Sequence, residues 1–118
     1  MSKNIKNKNA LKNKTIKNKT IAVDFDGTLV TDKYPEIGEP NVKLINKLRK
    51  LSKDNTLILW TCRNGDKLKE AVEFCRLCDL NFDYVNENTE ANLKKYNYED
   101  CRKICADIYI DDRAVTTI

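Results

Sequence analysis

Three short apolar runs constrain this chain most, because each ends in acidic or hydroxyl side chains. Thr20-Ile21-Ala22-Val23 runs into Asp24, Thr56-Leu57-Ile58-Leu59-Trp60 into Thr61, and Ala106-Asp107-Ile108-Tyr109-Ile110 into Asp111 and Asp112. Short, largely apolar runs of this kind suit strands buried on both faces of a parallel sheet. A weaker run, Phe82-Asp83-Tyr84-Val85-Asn86, reads as a further strand ahead of the last one.

Between the runs the period changes from strand-like to helical. Val42, Leu44, Ile45, Leu48 and Leu51 recur at helical spacing, with Lys43, Lys47, Arg49 and Lys50 on the outer face, which predicts an amphipathic helix over residues 40–53. Gly65 and Asp66 open a second helix, with Leu68, Ala71, Val72, Phe74, Cys75 and Leu77 read as inward-facing. Residues 27–40 carry Gly27, Pro35, Gly38 and Pro40 and read as a loop or flap. Residues 87–102 are polar, with isolated Leu93, Tyr96 and Tyr98, and fit neither period.

Strands alternating with helices imply right-handed crossovers and an α/β fold with a mainly parallel sheet. Ligands of such sheets sit outside the carboxyl ends of the strands, where the strand order reverses. Asp24, Asp26, Thr61, Asp111 and Asp112 all fall at that edge. Carboxylates gathered there repel one another unless a cation sits among them. Hard oxygen donors with open positions suit Mg²⁺, which binds through one or two carboxylates plus substrate phosphate. A carboxylate beside such an ion can approach a phosphoryl group as nucleophile. Gly27 lets the chain turn sharply after Asp26, so that this second carboxyl can serve as general acid and then base.

Charge divides the chain. Residues 1–20 hold seven lysines and no acid, leaving 15 basic against 18 acidic residues over 21–118. The formal net charge of +4 therefore belongs to a Lys/Asn-rich tail, residues 1–19, ahead of a mildly acidic domain at 20–118. Such a tail cannot bury enough apolar area to offset its ordering entropy, so disorder or weak helicity is expected. It could hold a nucleic acid electrostatically, or serve only as a solubilising extension. Five cysteines, an odd number, argue against a disulfide framework. Cys75, Cys78, Cys101 and Cys105 have spacings that could form a zinc site. However, Cys75 falls within a helical apolar pattern, where cysteine acts as a small hydrophobe.

Asp24-Phe25-Asp26-Gly27-Thr28-Leu29 resembles the first motif of the haloacid dehalogenase (HAD) superfamily. Thr61, ending Leu59-Trp60-Thr61, resembles its second motif, and Asp111-Asp112 its fourth. The stretch ending at Asp111-Asp112-Arg113 is also similar to the 5′(3′)-deoxyribonucleotidases, and the whole to small bacterial and phage members. The resemblance implies a HAD-like, Rossmann-like three-layer sandwich and a phosphatase acting through an aspartyl-phosphate. In it Asp24 is nucleophile and Mg²⁺ ligand, and Asp26 is acid/base and gives a backbone carbonyl to the metal. Thr61 bonds a phosphoryl oxygen, Asp111 completes the metal site and Asp112 supports it. Backbone amides after Asp24, around Gly27, and near Arg63-Asn64 cradle the phosphate. Lys103 matches the family's cation, with Lys94 and Lys95 as rivals; eight residues separate Lys103 from Asp111, roughly 26 Å if extended, so the chain must loop back.

Neither residues 27–55 nor 62–81 leave room for a cap domain beside their helices, so an open, capless site is expected, acting on a phosphorylated substrate such as a nucleotide or nucleic-acid end. The family usually adds a strand beyond the fourth motif. Only six residues follow Asp112, so the fourth strand is expected to be an open edge, with either the chain cut short or a partner such as a second copy covering it. No apolar run is long enough to span a bilayer, and no h-region marks a secretory signal, so a cytoplasmic location without membrane contact is expected. The competing reading is a non-enzymatic module of the same fold that engages an anionic partner through its tail.

Overall fold

The computed structural model describes residues 15–95, 104–111 and 115–117. Its elements follow in the order β1 (Thr20–Val23), α1 (Val42–Leu51), β2 (Thr56–Leu59), α2 (Gly65–Leu77), β3 (Tyr84–Val85), α3 (Glu90–Lys95), β4 (Ile108–Ile110) and β5 (Val115–Thr117). Strand order is β3-β2-β1-β4-β5. The first four strands are mutually parallel and β5 pairs antiparallel with β4. This is an α/β fold with a mainly parallel sheet, compatible with a Rossmann-like arrangement.

The period of two in the strands sorts their side chains between two faces. Ile21, Val23, Leu57, Leu59, Ile108 and Ile110 turn to one face and form the main core with Ile45 and Leu48 of α1 and Ala71 and Cys75 of α2. Ala22 and Ile58 turn to the other, where they pack with Ile104, Tyr84, Ala106 and Tyr109. Asn41 caps α1, its side chain accepting from the Leu44 N–H, and Arg49 and Lys50 complement the dipole in the last turn. α2 ends in a Schellman turn: Asp79 takes φ +59°, its N–H bonds the Arg76 carbonyl, and the N–H of buried Leu80 reaches the Cys75 carbonyl.

Several expectations need correction. Leu77 is 71% exposed rather than inward-facing, since two helical residues beyond Cys75 lies on the opposite side of the helix. The third strand shrinks to Tyr84–Val85 because Asp83 turns its carboxylate back to the Leu57 N–H and Asn86 adopts φ +53°. β4 is no open edge. Three β-branched residues, Val115-Thr116-Thr117, pair with Tyr109 and its neighbours and occupy it. Residues ahead of β1 also make contacts. Ile16 packs on the core, and the Asn18 N–H and Lys19 carbonyl bond Asp54 and Thr56.

Cys75 is a core residue packed with the strands, and burial pushes its thiol up to about 12. Cys101 lies outside the described residues. Among the described residues no helix is long and apolar enough to cross a membrane.

Candidate active site

β1 hands the chain to β2 and β3 on one side, and the chain returns to β4 on the other. The strand order thus reverses between β1 and β4, where crevices form in open α/β sheets. At that point a cavity of about 270 Å³ is lined by Asp24, Trp60, Thr61, Cys62 and Asp111. A larger recess near the start of β2, about 590 Å³, is walled by Arg49, Lys50 and Lys53 among others. It contains none of the strand-end residues, so the smaller cavity is the chemical candidate.

Asp24 is fixed from both sides. Its N–H donates to the Ile110 carbonyl at 2.9 Å, which ties it to β4, and its Oδ1 accepts the Phe25 N–H at 2.8 Å. The chain then turns back at Gly27, whose φ of +84° favours glycine and whose N–H bonds the Val30 carbonyl. Just beyond β2, the Thr61 N–H donates to Asn86 Oδ1 at 2.8 Å and its Oγ1 accepts the Arg63 N–H at 3.1 Å. A hydroxyl that accepts this bond still has its own proton to give, which suits a phosphoryl oxygen. The Arg63 amide itself is therefore used within the turn.

The Arg63 side chain was not foreseen in this role. It is 2% exposed and forks onto Asp26, Nε to Oδ2 and Nη2 to Oδ1, both at 2.8 Å. The guanidinium also donates to the Pro35 and Glu36 carbonyls at 3.2 and 2.8 Å. Its Cζ stands 5.1 Å from the Phe25 ring centroid and 4.9 Å from that of Tyr34, within cation–π range. Hydrogen bonding to Asp26, against an opposing burial effect, raises the Arg63 pKa above the ordinary guanidinium value. The expected loop at 27–40 is thus pinned to the site through one residue. Val30 bridges Pro40, and Gly38 lies so close to Thr31 that an added Cβ would fall 2.0 Å from its carbonyl oxygen. A signal existed: the register Val23↔Leu59 brings the residues after Leu59 level with Asp26.

A solved structure of a conserved protein coded by a locus of Bacteroides thetaiotaomicron is 41% identical to this chain. The match covers 86% of this chain and 81% of that one, with a TM-score of 0.72. The chain belongs to the family of that conserved protein. No family model matches the chain, and no curated protein is found similar to it.

In this member of the family, the sequence-derived residues divide into three groups. Asp24, Thr61 and Asp111 come together at the cavity. Asp26 is adjacent in sequence, but its carboxylate is engaged by Arg63, so the three aspartate carboxylates do not form one cage. Among the described residues, no three His, Cys, Asp or Glu side chains are grouped to hold a metal. Asp24 and Asp111 remain as a pair of hard oxygen donors. Asn64 precedes α2 as its N-cap without a side-chain capping bond. Lys95 lines a recess with Thr20 and Asp107 at the amino ends of β1 and β4, the opposite edge from Asp24, which removes it as a rival cation. Lys94 is exposed on the same short helix. Lys103 and Asp112 lie outside the described residues.

Proposed function

We propose that this protein is a Mg²⁺-dependent phosphomonoesterase of the HAD kind, with Asp24 as nucleophile. The observation that carries this reading is the meeting of Asp24, Thr61 and Asp111, from three parallel strands, around one cavity at the switch point. The Asp24 carboxylate attacks phosphorus, the bond to the leaving oxygen breaks, and an aspartyl-phosphate forms on Asp24. Water then attacks that phosphorus, releasing inorganic phosphate and restoring the carboxylate. Thr61 donates a hydrogen bond from its hydroxyl to a phosphoryl oxygen.

The donor set fits Mg²⁺, because two carboxylates with substrate phosphate match its usual mode of binding. Asp24 and Asp111 would hold it, with the Asp26 carbonyl as the third protein donor. The ion supplies charge neutralisation for the phosphoryl oxygens. Among the described residues, the segments between strands contain a tied loop and single helices, which supports a site without a cap. A cytoplasmic location belongs to this reading.

Proton delivery by Asp26 requires it to exchange its bonds with Arg63. An aryl phosphate, whose phenolate leaves without a proton, bypasses that requirement. Hydrolysis of 4-nitrophenyl phosphate by the full chain is therefore expected to rise with added Mg²⁺ and fall to background on chelation. Absence of turnover at saturating Mg²⁺ would overturn the proposal and favour the non-enzymatic module, a reading that draws on the engagement of Asp26 by Arg63.

A further inference from the structure

Trp60 precedes Thr61 directly and forms part of the wall around Asp24. Its backbone is fixed, the N–H donating to the Val23 carbonyl at 2.8 Å. Its side chain is 40% exposed, although tryptophan is on average among the more buried residue types. Leu77 and Val42 are more exposed still, but they stand singly on helices, where an exposed apolar residue needs no explanation. Trp60 differs in facing a cavity that also holds two carboxylates and a hydroxyl.

The indole is braced rather than loose. Its ring centroid lies 5.8 Å from that of Tyr109, with the planes at 68°. The Tyr109 hydroxyl in turn donates to the Ile104 carbonyl and accepts the Ala106 N–H. A near-perpendicular contact covers at most one face of the indole, leaving the other for a planar group. The cavity, about 270 Å³, is at the small end of ligand sites, which begin at roughly 300 Å³. It accommodates a phosphoryl group and a ring rather than a large folded ligand.

From this arrangement we infer that Trp60 is a specificity residue that stacks on an aromatic ring in the leaving group, so that the substrate class is an aromatic phosphomonoester. The inference rests on the phosphohydrolase reading of Asp24. A nucleobase and a phenol share the required chemistry, and separate ligands distinguish them.

Trp60 is the single tryptophan of the chain, so its fluorescence reports on this wall without any change at that position. In full-length Asp24→Asn protein with Mg²⁺, adenosine 5′-monophosphate or tyrosine phosphate is expected to quench the emission, after correction for absorbance, and glycerol phosphate is not. The stronger quencher identifies the ring as base or phenol. In active protein, Trp60→Ala is expected to lower kcat/KM for that ligand about tenfold relative to glycerol phosphate, the size of a lost stacking contact. Trp60→Phe should retain most of the preference. Equal quenching by glycerol phosphate, no quenching by either aromatic ligand, or an unchanged substrate ratio in Trp60→Ala would overturn the inference. Should the wild type hydrolyse nothing, the phosphohydrolase reading fails, and the quenching pattern still decides whether Trp60 binds aromatic phosphates.

Discussion

Asp24→Asn is expected to reduce kcat for aryl phosphate hydrolysis by about 10³-fold or more, because an amide cannot serve as the attacking carboxylate. Folding should survive the change. Asn keeps an oxygen that can accept the Phe25 N–H now bonded to Asp24 Oδ1, so the loss in stability should stay within about 1 kcal/mol. Asp111 lines the same cavity, and removing one of two like charges relieves repulsion there. Steady-state kinetics and thermal unfolding on one preparation separate the two effects. Lost activity with retained Tm marks a chemical role, whereas a large joint fall would make Asp24 a structural residue.

Arg63→Ala is expected to produce the largest loss of stability. The substitution removes both charged bonds to Asp26, the bonds to the Pro35 and Glu36 carbonyls, and the contacts with Phe25 and Tyr34. Breaking a buried pair by deleting one partner costs about 3–5 kcal/mol. The lower part of that range applies, since the Asp26 side chain keeps 19% of its exposure while Arg63 keeps 1%. A Tm lowered by roughly 10–20 °C should follow. Arg63→Lys should recover little, because an ammonium cannot reproduce the planar fork. With its pKa raised by Asp26, Arg63 contributes this stability below the ordinary guanidinium value while Asp26 is ionised, and loses it on the alkaline side as pH rises through the folded value. A loss under about 1 kcal/mol, typical of an exposed ion pair, would show that the loop is not held through Arg63.

What could be read in the sequence was whatever short-range pattern controls. The odd and even residues of β1 and β2 announce a sheet buried on both faces, and the acids after Val23 and Ile110 announce the edge that carries the candidate site. Leu77 departs from the expected inward face because helical angle, not apolar character, decides which side of α2 it occupies. The β4 edge went wrong because three residues, Val115–Thr117, are too short a strand to signal themselves. Lys95 reads as a rival cation, yet it lines a recess with Thr20 and Asp107, because the direction of α3 is not encoded in its six residues. Arg63 is the instructive case. Its fork spans 37 residues of sequence to Asp26, and the loop carbonyls that complete its shell carry no side-chain signal. A local pattern locates Asp24 but not the residue that pins its neighbour Asp26.

The central claim, that Asp24 forms a covalent phosphoryl intermediate, is tested most directly by acid quenching during turnover and mass spectrometry of the peptide containing Asp24. One phosphoryl group on that peptide is expected, discharged by neutral hydroxylamine as an acyl phosphate must be, and absent from Asp24→Asn protein. Phosphoryl on another residue, or an equal adduct in Asp24→Asn, would contradict it.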